Sequence, residues 1–465
     1  MESQEQSERE TCRVVALGCK GTRVLLTRTE EGFAFPFVEI PRWERTAESL
    51  TGAIKTDWGL NAVCLFTPKN SAPVGDSNCN HYEVVECSEG QERSDKTAWE
   101  PISSLTTESF RNGAEFRILQ QCLYELDRYE GDPSSPFARR GWLGSLQDWT
   151  ADAIHPIGLE LTGRLRQLNA GPAFSLIRFD TNRQAVWFKA VGEPNQREFP
   201  ITLQLAELFP TFMPKILATK KKWNGWLSSE VEGTNLGDTK NIVLWKQAAA
   251  ELAKLQIDAI PNSESVLRSG AHDLRTEALV ASIDPFFDVV RELMEQQPKL
   301  SPPILNQREL SLLKLRIQDS FSLLDGLQIP NALGHLDLNP WNIVISGDRC
   351  TFLDWAEAYV GPPFFSFEYL LQHFRREICA NAALESQFVR AYVAPWLQLL
   401  AEDLIGEALA LAPLAAVFAY AVGTSALKDI DKVRDPETKA YLRSLARRMN
   451  REAIQFVARR PICKS

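Results

Sequence analysis

The sequence predicts an α+β chain of two domains: a mixed α/β domain, then a small antiparallel sheet leading into a large helical body. Three observations predict it. The first 130 residues mix short apolar strand patterns with helical stretches, residues 155–230 read as strands in hairpin order, and from Ile242 the apolar residues recur at helical spacing. At 465 residues, 44% of them hydrophobic, the chain can bury at least two cores. The expected divisions are a loose tail over 1–11, a domain over 12–130, a linker and connecting helix over 131–154, a sheet-rich lobe over 155–232 and a helical lobe over 233–465.

In the first domain, Val14-Val-Ala-Leu and Arg23-Val-Leu-Leu-Thr read as strands joined across Gly21. Ala53–Trp58 reads as a helix ended by Gly59, and Ala62–Phe66 and His81–Cys87 as further strands. A helical pattern from Gly113 to Arg128 runs into the turn formers Tyr129-Glu-Gly-Asp-Pro-Ser-Ser-Pro136, which mark the domain border. Gly141–Ala153 follows as an amphipathic helix. Its apolar stripe of Trp142, Leu143, Leu146 and Trp149 needs a neighbour to cover it.

Leu165–Leu168, Phe174–Phe179 and Ala185–Val191 then read as three strands, with turns at Asn169-Ala-Gly-Pro172 and Asp180-Thr-Asn182. Phe212–Thr219 and Asn224–Gly233 read as two more strands around an Asn224-Gly turn, and a helix spans Arg197–Leu208. Helices are expected over Ile242–Leu255, Glu277–Gln296 and Gln307–Leu324, with Ser301-Pro-Pro303 as a break between the last two.

The most informative stretch is Leu333-Gly-His-Leu-Asp-Leu-Asn-Pro-Trp-Asn342, followed by Thr351-Phe-Leu-Asp-Trp355. It sets His335, Asp337, Asn342 and Asp354 at the spacing H-x-D-x-x-x-x-N, then D. Phosphoryl transfer rests on positioning and charge neutralisation, so it needs few reactive side chains, provided they converge. A carboxylate at Asp337 suits the orientation and deprotonation of an acceptor hydroxyl. The Asn342 amide oxygen and the Asp354 carboxylate are hard ligands suited to Mg²⁺. Asn342-Ile-Val-Ile-Ser reads as a strand, Gly347-Asp348 as a turn and Cys350-Thr-Phe-Leu as the return strand, so one hairpin carries both ligands. The competing explanation is that Asp and Asn merely cap turns here.

These residues resemble the aminoglycoside phosphotransferase and choline kinase-like branch of the protein-kinase fold. His335-Leu-Asp-Leu, Asn342 and Leu353-Asp-Trp stand where that branch carries His-Gly-Asp-Leu, Asn and Ile-Asp-Trp, with Leu336 replacing the usual Gly. Gly361-Pro-Pro-Phe-Phe-Ser-Phe-Glu368 resembles the segment opening the next helix. The resemblance implies a bilobal protein-kinase-like domain that uses ATP and Mg²⁺ to phosphorylate a hydroxyl of a small molecule such as an amino sugar or aminoalcohol. His335 becomes a scaffold for the loop. Lys189, paired with Glu198, becomes the holder of nucleotide phosphates; a solvated strand-edge lysine is the alternative. Glu230, Val231 and Glu232 fall where the hinge meets the adenine, or in an ordinary strand-to-helix loop, with Gly233 allowing the chain to turn. The glycine-rich cover over the phosphates is reduced to Gly163 and Asn169-Ala-Gly171-Pro.

The order of elements over 12–130, with Lys96-Thr-Ala-Trp-Glu-Pro-Ile-Ser-Ser-Leu105, resembles a Nudix hydrolase domain. Any small mixed α/β domain is the alternative. Glu44 stands in the first acidic position of the Nudix motif and Asp57 survives in its helix. The other glutamates that would cluster carboxylates around metal are missing, so hydrolysis is not expected. A nucleotide-binding pseudokinase and a diphosphate hydrolase are the competing functions.

A net charge of −9 disfavours a nucleic-acid-binding surface. Nine cysteines without a CxxC pair suit reduced thiols in the cytoplasm. The polar start lacks the apolar core of a signal peptide. Ala408–Gly423 is apolar but short and interrupted by Pro413, which favours a buried helix over a membrane span.

Overall fold

A computed structural model describes residues 9–42, 46–68, 79–88, 97–130, 132, 137–171, 173–193, 195–298, 301–378, 381–423 and 435–459. It is an α+β structure of two compact units. One comprises Met1–Phe199 with Lys215–Glu230, the other Pro200–Pro214 with Val231–Ser465. The division does not follow the expected borders at 130 and 154, because residues on both sides of them share one core.

In the first unit, β1 (Arg9–Gly18), β2 (Arg23–Thr29), β3 (Gly32–Ala34), β4 (Phe37–Pro41), β5 (Ala62–Phe66), β6 (Cys79–Cys87) and β7 (Thr97–Pro101) form a mixed sheet in which β1 and β6 run parallel. The continuous apolar run of β1 follows from burial on both faces. Val15 and Leu17 join one core, and Cys12, Val14 and Ala16 join another against α1 (Thr46–Trp58). Helices α2 (Gly113–Tyr129) and α3 (Trp142–Ile154) contribute to the first of these cores. Glu44 and Lys96 lie outside the described residues.

A five-stranded antiparallel sheet follows, in the order β11 (Ile216–Lys220), β12 (Gly225–Ser229), β10 (Val186–Val191), β9 (Phe174–Thr181), β8 (Leu161–Gly171). Its core is continuous with that of the first sheet. The neighbour that the α3 stripe needs is this sheet: Trp142 lies 4.8 Å from Trp223 and 5.8 Å from Phe188, and Trp149 lies 5.9 Å from Phe188, centroid to centroid. Buried Glu86 anchors the helix, accepting hydrogen bonds from the Gly141 and Leu143 amides at 2.6 and 2.7 Å. The turn expected at 169–172 is instead the end of β8, with Asn169, Ala170 and Gly171 laddered to Leu176, Ser175 and Phe174. The following strand begins at Ile216 rather than Phe212, since Pro214 cannot supply a ladder N–H.

The division between units falls inside α4 (Glu198–Leu208). The second unit is built on α5 (Ile242–Ala259), α6 (Ser263–Arg268), α7 (Thr276–Ala281), α8 (Ile283–Glu295), α9 (Gln307–Gly326), α10 (Phe364–Glu377), α11 (Ala382–Trp396), α12 (Glu402–Gly423) and α13 (Pro436–Arg459). The single helix expected over 277–296 is two, α7 and α8. Pro285 in the first turn of α8 has no N–H to continue α7, and the chain breaks at Ser282. Helix α12 is long and apolar, yet Ile405, Ala408, Leu411, Ala415 and Phe418 are buried in the core of this unit. Two small sheets complete it: β13 (Thr234–Asn235) with β16 (Ile343–Ser346) and β17 (Arg349–Phe352), and β14 (His272–Asp273) with β18 (Ala358–Gly361) and β15 (Ala332–His335).

Candidate active site

The loop after β15 and the β16–β17 hairpin meet around His335, which is fully buried. Its backbone N–H donates to Ser366 Oγ at 2.8 Å, and its Nδ1 accepts from the Asp337 amide at 3.1 Å. Nε2 therefore carries the proton, which it donates to the Leu353 carbonyl at 3.1 Å. Burial lowers the His335 pKa and keeps the ring neutral in this bridging role. One imidazole thus ties the Asp337 loop to the residue preceding Asp354. It is a scaffold.

The hairpin sets the other two residues. Ile343 pairs with Phe352, and beyond that pair the Leu353 amide donates to the Asn342 carbonyl at 2.8 Å, so Asn342 and Asp354 stand together at the open end. Asn342 Nδ2 donates to the Asp337 carbonyl at 3.2 Å, which commits its amino group to the loop and turns its amide oxygen the other way. Asp354 adopts φ 63°, ψ 63° and makes no capping bond to the short turn that follows. Aspartate is one of the few residues besides glycine to visit this region, and without a cap bond turn capping does not explain its place here. Asn342 Oδ1 and the Asp354 carboxylate are two hard oxygens, a donor set that fits Mg²⁺ completed by substrate phosphates and water. Among the described residues no group of three or more His, Cys, Asp or Glu is placed to hold a metal by itself.

Asp337 has a partner that no sequence spacing suggested. Tyr369, on α10, donates its hydroxyl to Asp337 Oδ1 at 2.9 Å. Burial and the nearby Asp337 charge push the phenol pKa upward, which keeps it a donor. Leu336, where a glycine was expected, is outside the left-handed region, and its amide donates to the Glu357 carbonyl at 3.0 Å. Its side chain fits because α12 ends in Gly423. A Cβ on that residue would stand 2.5 Å from Leu336 Cδ1.

In the first unit, Lys189 Nζ lies 2.5 Å from Glu198 Oε1, with both side chains at most 11% exposed. The ammonium also sits 5.3 Å from the Phe174 ring centroid and 5.9 Å from that of Trp226. A buried lysine held this way is not a solvated strand-edge residue. Glu230 is engaged differently from expectation: its carboxylate takes a bidentate pair from Arg178 at 2.8 and 3.0 Å, and its amide bonds the Ala185 carbonyl at 3.1 Å. The Arg178 hydrogen bonds hold the Glu230 pKa below its usual range. Val231 and Glu232 belong to the second unit. Gly233 has φ 148°, and a Cβ there would come 2.3 Å from the Ile345 carbonyl oxygen, so only glycine fits.

Residues 193–400 match the phosphotransferase enzyme family. The chain is a phosphotransferase. The match spans somewhat less than half of the 465 residues and contains Glu198, Asp337, Asn342 and Asp354, while Lys189 lies just upstream of it. A search of curated proteins returns no match. Among solved structures, the chain is similar to a macrolide 2'-phosphotransferase from Brachybacterium faecium, with 16% identity, 65% of this chain and 98% of that one covered, and a TM-score of 0.45. It is also similar to an ethanolamine kinase of Plasmodium vivax (16% identity, 64% and 83% covered, TM-score 0.42). A choline kinase from Streptococcus pneumoniae gives 14% identity, 68% and 100% covered, and a TM-score of 0.43.

Proposed function

We propose that the chain transfers the γ-phosphoryl group of ATP to a hydroxyl of a small molecule. The observation that carries this reading is the joining of Asp337, Asn342 and Asp354 into one cluster, by the buried His335 between the Asp337 amide and the Leu353 carbonyl and by the bonds of Asn342 to the Asp337 carbonyl and the Leu353 amide. Asp337, steadied by Tyr369, orients the acceptor hydroxyl and takes its proton. Asn342 and Asp354 would hold Mg²⁺, which when bound neutralises phosphate charge. Lys189, fixed by Glu198, holds phosphate oxygens, and residues 230–232 flank the adenine. Asp337→Asn is expected to lower turnover about 10²–10⁴-fold, the usual contribution of a positioned base. Phosphorylation unaffected by both Asp337→Asn and Asp354→Ala would sink this mechanism.

The segment 12–130 is read as a Nudix-like module without hydrolytic chemistry. Its mixed sheet with a parallel β1–β6 pair supports the likeness. Helix α1 offers only Glu48 and Asp57 as carboxylates, and Glu48 is paired with Arg166 at 3.3 Å. The buried thiols of Cys12, Cys64, Cys87, Cys122 and Cys350, none in a disulfide, support a reducing, cytoplasmic setting.

A further inference from the structure

The second unit contains a cavity of about 510 Å³ whose wall includes Leu336 and Tyr369, the residues beside Asp337. Two helices supply most of its polar groups, each through a stripe at helical spacing. Tyr369, His373 and Arg376 recur every three to four residues along α10. Tyr441, Ser444, Arg448 and Arg451 do the same along α13. Three arginines therefore line one cavity. Among the described residues no carboxylate lies within ion-pair distance of Arg376, Arg448 or Arg451.

The carboxylate in the cavity wall, Glu368, does not cancel this charge. It is buried, which raises its pKa. It accepts a hydrogen bond from Gln372, and Arg375 lies 3.6 Å from it while pairing with Glu385 at 2.6 Å; the Arg448 charge also acts on it, and one carboxyl with a raised pKa leaves the three arginines in excess. His373 is turned to Glu377 at 3.2 Å, and Arg376 reaches His373 at 2.7 Å. At its Asp337 end the cavity is bounded by tyrosine and leucine, and the cationic groups lie farther along both helices. Arg376 stands seven positions after Tyr369 on α10, a rise of about 10 Å along the helix axis.

From this layout we infer that the acceptor is a hydroxylated oxyanion, a phosphate ester or carboxylate. Its hydroxyl lies at Asp337, and its anionic group lies toward Arg376, Arg448 and Arg451. An amino sugar or aminoalcohol would place its ammonium against three guanidinium groups. Arginine is also the side chain best suited to a forked grip on such oxyanions. The inference rests on the phosphotransferase reading above and refines its acceptor.

The test uses the full chain with Mg²⁺ and γ-labelled ATP, incubated separately with the anionic, neutral and cationic fractions of a small-metabolite extract. Label transfer to the anionic fraction is expected, and prior phosphatase treatment of that fraction separates phosphate esters from carboxylates. Transfer confined to the cationic or neutral fractions overturns the anionic acceptor while leaving the phosphotransferase intact. Transfer to no fraction overturns both. With the active acceptor in hand, Arg448→Gln and Arg451→Gln are each expected to raise its KM about tenfold or more, the loss of one charge-assisted hydrogen bond. Arg448→Lys should recover part of that loss in a protein of unchanged melting temperature. A KM unmoved by either glutamine variant would also overturn the inference.

Discussion

Tyr369→Phe isolates one oxygen atom at the proposed base. The hydroxyl donates to Asp337 Oδ1 at 2.9 Å, within the range of an ordinary O–H···O bond, and the acceptor is a carboxylate. Hydrogen bonds to charged groups contribute about 1.5–3 kcal/mol. Both partners are only partly buried, so screening lowers the expected contribution to about 1–2 kcal/mol. That corresponds to a loss of about 5- to 30-fold in kcat, if the hydroxyl holds Asp337 in its productive rotamer. The Tyr369 ring stays in place against Tyr420, 6.3 Å away, and His373, 5.1 Å away, so acceptor KM should move far less than kcat. Steady-state kinetics with a fixed nucleotide concentration gives the split. A urea-denaturation double-mutant cycle with Asp337→Asn gives the coupling without recourse to activity. A kcat that is unchanged in Tyr369→Phe, together with zero coupling in the cycle, would show that Tyr369 is only cavity wall.

Two further outcomes test the packing around the site and in the first sheet. Gly423→Val places carbon about where Leu336 Cδ1 lies and should destabilise the second unit by about 1–3 kcal/mol of overpacking; Leu336→Ala in the same chain should relieve part of it. Equal urea midpoints for Gly423→Val and the parent would refute that contact. Burial raises the Glu83 pKa to about 7, opposed by the Thr67 hydrogen bond at 2.6 Å. The folded carboxyl thus keeps a proton that the unfolded chain releases near its ordinary value of 4.5, so this stabilisation is complete below that pH and is lost as pH rises through about 7. The span of about 2.5 units amounts to about 3 kcal/mol. Melting temperature should fall from pH 5 to 8 and fall less in Glu83→Gln; parallel curves would refute the assignment.

What could be read from the chain followed how local each cause is. The strands at 14–17, 23–27 and 62–66, and the helices at 113–128 and 142–153, were legible because alternation and helical spacing are carried by neighbouring residues. The loop and hairpin of Asp337, Asn342 and Asp354 were legible for the same reason, since all three lie within eighteen residues of one another. Tyr369 was not, because its bond to Asp337 spans thirty-two positions and depends on how α10 seats against β15. Leu336 reads as a misfit until Gly423, eighty-seven residues on, shows where its side chain goes. The split of α7 from α8 at Pro285 was available in the sequence, but the apolar periodicity on either side overrode it.

Residues on both sides of position 130 share one core, which bears on what the N-terminal segment does. Gln167, on β8, is fully buried, and its side-chain amide accepts from the Cys64 N–H at 2.6 Å and donates to the Cys64 carbonyl at 3.3 Å. One side chain thereby satisfies both backbone groups of a residue in the first sheet, as a neighbouring strand would. Trp142 and Trp149 close the same core from α3 onto Phe188, the residue next to Lys189 on β10. A tethered module would expose polar groups along such a seam, whereas here aromatic rings and a satisfied buried amide fill it. The strand carrying Lys189 is therefore backed by side chains from α3, within a core continuous with the first sheet. That gives the segment before residue 130 a structural reason to remain attached to the phosphotransferase even without chemistry of its own.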